Sequence, residues 1–194
     1  MIRNNYIHEV SHLPVIDELV AYGLANLTKN KVQGLVAYAQ EPHVISHRGW
    51  GDMLPNFEMP LPIEWVQVFC ITKNSIGSVH KDGIDRQCAF NVPLVNCNKG
   101  LMQWFDAEFE TVQIDNKYTK VRLLKKDADQ TSLIPAFSTV VEKPSIVSTN
   151  NWHRVHNVGN GERYMLSVRF KDNPTFEQVA EAFDDYADNL NQIE

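Results

Sequence analysis

From Trp65 to Phe170 the chain is a succession of short β-branched and aromatic runs closed by turn residues: WVQVFCIT, RQCAFNVPLV, LMQWF, YTKVRLL, STVVE, SIVST, WHRVHNV and RYMLSVRF. Runs this short suit strands and fall below the length of an ordinary helix. Eight in succession predict a sandwich or barrel rather than alternating βαβ units, with the barrel proper at roughly residues 65 to 171.

The flanks follow other periods. Val15, Ile16, Leu19, Val20 and Leu24 recur at helical spacing, Pro14 suits a first turn and Gly34 falls near a boundary. Residues 42 to 64 carry prolines at 42, 55, 60 and 62 among aromatics, which reads as an irregular covering segment. After the strands, Phe176, Val179, Phe183, Tyr186 and Leu190 step by three and four behind Pro174, which is expected at the first helical position. This amphipathic helix either packs on the outside of the sheet or forms a homodimer contact. We therefore read one domain over 1–194: helical and irregular N-terminal support (1–64), a β core (65–171) and a C-terminal helix (172–194).

Composition narrows the function classes. Hydrophobic residues at 43% and charged residues at 22% are ordinary for a globular protein, and the apolar runs are too short to span a bilayer. A net charge of -6 with dispersed basic residues argues against affinity built on phosphate neutralisation, so no nucleic-acid partner is expected. The start MIRNNYIHEVSHLP lacks the apolar core of a secretory signal, and the expected location is cytoplasmic. Cys70, Cys88 and Cys97 have no zinc-knuckle spacing and are expected as buried, reduced thiols.

The chemistry gathers on a few residues. In an extended segment His80 and Asp82 point to one side while Lys81 points away, and Gly83 permits the chain to turn directly afterwards. With seven histidines in the chain, one H-x-D spacing arises readily by chance, so a third ligand is required. His8, His12, His43 and His47 lie in helical or loop-like stretches, whereas His153 and His156 lie in the strand pattern WHRVHNV. We choose His153, whose face it shares with Val155 and Asn157; His156, on the other face with Arg154, reads as structural. Two imidazoles and one carboxylate can hold Fe(II) on one triangular face and leave the opposite positions for a chelating co-substrate and dioxygen.

Arg163 supplies a possible grip on that co-substrate. If the WHRVHNV and RYMLSVRF strands form a hairpin with the two-residue loop Asn160–Gly161, Arg163 faces away from His153. A three-residue loop, Gly159 to Gly161, instead pairs His153 with Ser167, Val155 with Met165 and Asn157 with Arg163, all facing inward. A guanidinium buried there needs an anion, and a carboxylate can meet it through two parallel hydrogen bonds.

HKDG, then WHRVHN, then Arg163 ten positions after His153 and followed by YMLSVRF, resembles the Fe(II)/2-oxoglutarate-dependent oxygenases, and is similar to their prolyl hydroxylase and aspartyl/asparaginyl hydroxylase branches. RQCAFNVPLVN also looks like that superfamily, and the match covers roughly residues 65 to 171. The resemblance implies a double-stranded β-helix, a jelly-roll barrel, with iron on His80, Asp82 and His153. It implies 2-oxoglutarate on that iron with its distal carboxylate at Arg163, dioxygen as oxidant, and Asn91 and Ser167 facing the same cavity. Met165 stands where many relatives have a serine, two positions after the arginine.

The activity so implied is hydroxylation of an unactivated C–H bond, on an amino-acid or peptidyl side chain, with release of succinate and carbon dioxide. A small-molecule or peptidyl substrate would enter over Trp104 and the segment around Arg48 and Trp50, which would act as a lid. Arg169 either contacts an acidic substrate group or ends its strand in solvent. The alternative is a cupin-like metal or small-molecule binding protein without oxygen chemistry, which accounts for the strands equally well.

Overall fold

β-Branched and aromatic side chains pack well on a pleated surface, and each of the eight runs forms a strand. The structure, a computed structural model, describes residues 3–10, 13–27, 43–82, 86–106, 109–116, 119–124 and 132–192. Its elements are β1 (Ile7–Glu9), α1 (Pro14–Ala25), β2 (His43–Trp50), β3 (Ile63–Ile71), β4 (Ser75–Ile76), β5 (His80–Lys81), β6 (Cys88–Val95), β7 (Gly100–Phe105), β8 (Thr111–Asn116), β9 (Thr119–Leu124), β10 (Phe137–Val140), β11 (Ser145–Ser148), β12 (Trp152–Asn157), β13 (Arg163–Phe170) and α2 (Phe176–Asn191).

Two antiparallel sheets result, one ordered β1-β11-β6-β13-β3-β2 and the other β10-β7-β12-β5-β9-β8. From β3 onward, β3, β6, β11 and β13 lie in the first sheet and β4, β5, β7, β8, β9, β10 and β12 in the second, so the chain passes repeatedly between the two sheets of a double-stranded β-helix, a jelly roll. The first sheet is buried on both faces. Leu166, Val168 and Phe170 of β13 pack with Phe90 and Val92 of β6 under α1 and α2, whereas Met165 joins Ala89, Met102, Trp104 and Val147 between the sheets. Odd-numbered residues of β13 therefore face the interior of the roll and even-numbered ones face the helices.

Both helices are anchored by close packing. A methyl group on Gly23 of α1 would lie 2.8 Å from Leu94 and 3.1 Å from Leu166, so the absence of a side chain lets the helix sit down on the sheet. Phe183 of α2 lies with its ring centroid 4.7 Å from that of Phe90 and 5.9 Å from that of Phe170. The α2 stripe expected from the sequence is thus buried against the sheet within one chain, which is the face a homodimer contact would need. Thr175 caps this helix and forms a capping box with Gln178, so Pro174 precedes the cap instead of opening the helix.

Several expectations change. Residues 42–64 are not wholly irregular: His43–Trp50 is a strand paired with β3, and β1 extends the opposite edge of the same sheet, so the sheet reaches outside 65–171. β12 and β13 do not form a hairpin with each other. β12 pairs with β7, β5 and β4, while β13 pairs with β3 and β6 in the other sheet. The Gly159–Gly161 segment is therefore a crossing between sheets, held by the Asn157 amide, which donates to the carbonyls of Ile71, Thr72 and Gly161. Trp104 is 0% exposed and donates its indole N–H to the Ser148 carbonyl, a core position that bars it from a substrate entrance. Gly34, Gly83 and His12 lie outside the described residues, as do the side chains of Arg48 and Trp50. All three cysteines are buried, with no disulfide among the described residues.

Candidate metal centre

β5 and β12 are hydrogen-bonded neighbours, and their register sets His80 directly opposite His153. Side chains opposite each other on one sheet face meet, and the two imidazole centroids are 4.4 Å apart. Asp82 lies one step beyond β5, its N–H donating to the Thr149 carbonyl. This contact brings the carboxylate in beside both rings. Asp82 Oδ1 is 3.4 Å from His80 Nε2 and 4.0 Å from His153 Nε2, and one ligating atom from each residue lies within 4.8 Å of the others.

The tautomers are fixed by the backbone. His80 Nδ1 is 2.8 Å from the Ser78 carbonyl and His153 Nδ1 is 2.8 Å from the Asn151 carbonyl. A carbonyl only accepts, so each Nδ1 carries a hydrogen and each Nε2 is the atom turned to the centre of the cluster. Burial, reinforced by the neighbouring His80, pushes the His153 pKa down to about 3, so its imidazole is neutral at pH 7. Desolvation opposes ionisation of Asp82, yet Arg86 and the two histidines outweigh it and hold the carboxyl well below the usual range. Two imidazoles and an ionised carboxylate are the donor set of a divalent transition-metal site. The residues fit such an ion.

The remaining candidates line the same interior at different depths. Ser167 is directly opposite Asn91 in register, and both lie on inward positions of the first sheet. Ser167 Oγ accepts from Arg86 Nη2 at 2.7 Å. Arg163 also points inward and crosses to the opposite sheet, where a methyl group on Gly100 would lie 2.3 Å from its Nε. Only glycine leaves room for the guanidinium there. Gly100 is four residues along β7 from Trp104, the partner of His153, a separation of roughly 14 Å at strand rise. Arg163 is 2% exposed and its Nε has no hydrogen-bond partner among the described residues. Burial lowers its pKa, partly offset by the neighbouring Cys97. Its inward direction agrees with the sequence reading, but the register that led there does not: His153 pairs with Trp104 and His80, not with Ser167, and Asn157 pairs with Gly100, not with Arg163.

Arg169 and His156 settle into structural surroundings. Arg169 Nε lies 2.6 Å from Glu64 Oε2, off the axis of a true hydrogen bond, with the guanidinium 5.9 Å from the Trp65 ring. His156 is on the outer face, where burial and Arg154 lower its pKa. The sequence reading missed Arg86, whose Nη1 is 2.9 Å from Asp82 Oδ2. The only signal was a guanidinium four residues after an acid, a spacing that predicts contact in a helix and not here.

No family model matches the sequence, and no curated protein does. Solved structures that match include vicilin from Corylus avellana (hazelnut), at 12% identity and a TM-score of 0.41, over 75% of this chain. The alignment spans 31% of that chain.

Proposed function

We propose that this chain is an Fe(II)- and 2-oxoglutarate-dependent dioxygenase that hydroxylates an unactivated C–H bond of an amino-acid or peptidyl side chain, with release of succinate and carbon dioxide. The observation that carries this reading is Arg163, a guanidinium sealed inside the roll with an unsatisfied Nε, on the wall that faces the metal ligands. A buried cation of this kind is costly unless an anion joins it, and its planar fork suits a carboxylate. His80, Asp82 and His153 would hold the metal, and Arg163 would bind the far carboxylate of the dicarboxylic co-substrate. Asn91 and Ser167 are paired polar side chains on the same wall, and Gln67 pairs with Ser167 from the other side. Bound iron with the oxo acid and dioxygen supplies the oxidising chemistry, while the protein supplies placement and exclusion of water.

A second reading is a cupin-like metal or small-molecule binding protein without oxygenase activity. The strand order and the three ligands support it more directly, because it asks for nothing beyond them. One experiment separates the two. Anaerobic Fe(II) plus 2-oxoglutarate is expected to give a weak visible charge-transfer band, which Arg163→Ala loses at ordinary co-substrate concentrations. Metal binding without that band in the parent protein selects the second reading.

A further inference from the structure

We infer that Arg86 is a positioning residue that confines Asp82 to one metal-facing oxygen and ties that ligand to the opposite sheet. The inference rests on the metal centre described above and is independent of which reaction occurs there. The two oxygens of Asp82 are already divided: Oδ1 faces the two Nε2 atoms, and Oδ2 is 2.9 Å from Arg86 Nη1. An oxygen held by a guanidinium is directed away from the ion, so the carboxylate binds through one atom and does not occupy a second coordination position.

Arg86 is itself fixed from three sides. Its Nη2 donates to Ser167 Oγ at 2.7 Å, and its guanidinium carbon lies 5.2 Å from the centroid of the Trp65 ring. Its carbonyl accepts from Thr149 Oγ1 at 2.9 Å, while the Thr149 carbonyl accepts from the Asp82 N–H at 3.1 Å. Thr149 thus pins both ends of the 82–86 segment. Ser167 and Trp65 belong to the first sheet and the histidines to the second, so Arg86 joins a ligand of one sheet to the wall of the other. A planar fork reaches two acceptors at once, whereas a lysine ammonium is a point charge on a flexible stem.

The test is Co(II) binding by the full chain, read by calorimetry and by the visible spectrum, which responds to coordination number. Arg86→Gln is expected to weaken Co(II) binding about 10- to 100-fold, the usual effect of losing a partner of a metal ligand. Its spectrum should also shift as Oδ2 becomes free to coordinate. Arg86→Lys is expected to fall between the two, keeping charge without the fork. Unchanged affinity and spectrum in Arg86→Gln overturn the inference. If that variant does not fold, Arg86→Lys decides: several-fold weaker binding supports the role, and parental affinity and spectrum overturn it. A parental protein that binds no Co(II) overturns the metal centre itself, a failure told apart because it needs no variant.

Discussion

The two sheets of the roll do different work, although both are antiparallel and share one interior. The first sheet is a scaffold, with one face under α1 and α2 and an inner face that contributes Arg163, Ser167 and Asn91. The second holds His80 and His153 of the candidate metal centre, aligned by a single register pair between β5 and β12. Apolar burial is therefore concentrated where strands are covered twice, and the candidate ligands gather where a very short strand meets a longer one. The contrast shows that a short strand suffices for a precise site when backbone carbonyls fix its side chains.

The division of labour can be broken most severely from the scaffold side. Phe90→Ala is expected to destabilise the fold by about 3–5 kcal/mol, measured by urea unfolding, because it empties the space between β6 and α2. A loss below about 1 kcal/mol would contradict the scaffold role. His153→Ala attacks the other sheet and should lower Co(II) affinity at least about 100-fold, while leaving the β circular dichroism signal in place. Loss of fold instead of metal would erase the distinction.

Acid sharpens it further. His153 is held neutral with a folded pKa of about 3, whereas the unfolded chain takes up the proton near 6.5. Its stabilising contribution is thus full above the unfolded value and declines as pH falls from about 6.5 towards 3, at up to about 1.4 kcal/mol per pH unit. Metal-free protein should lose up to about 2 kcal/mol between pH 6.5 and 5 in urea titrations, and His153→Gln should flatten that slope. The smallest effect is expected at the far edge of the scaffold. Thr175→Ala removes the α2 cap and should cost about 1 kcal/mol in thermal unfolding without altering Co(II) affinity.

Strand content was legible because apolar β-branched runs report burial directly, and each of the eight runs is a strand. β5 was readable only as the segment bearing H-x-D, and β2 was masked by averaging: Pro42 and Pro55 lie outside His43–Trp50, which itself contains no proline. Pairing was not legible. The period of a strand reports which face a side chain takes and says nothing of its partner. Arg163 was therefore assigned inward correctly from an incorrect hairpin, since β12 and β13 both turn one face to the roll interior. Arg86 escaped notice because its contacts reach Ser167 and Trp65, far along the chain.

The clasp made by Asn157 has a bearing on molecular traffic. At that end of the roll Asn157 is 0% and Arg163 2% exposed, whereas His80 is 17%, Asp82 14% and Arg86 13% exposed at the other. Among the described residues the clasp closes the guanidinium end of the roll, and the end that carries His80, Asp82 and Arg86 is the more open to solvent.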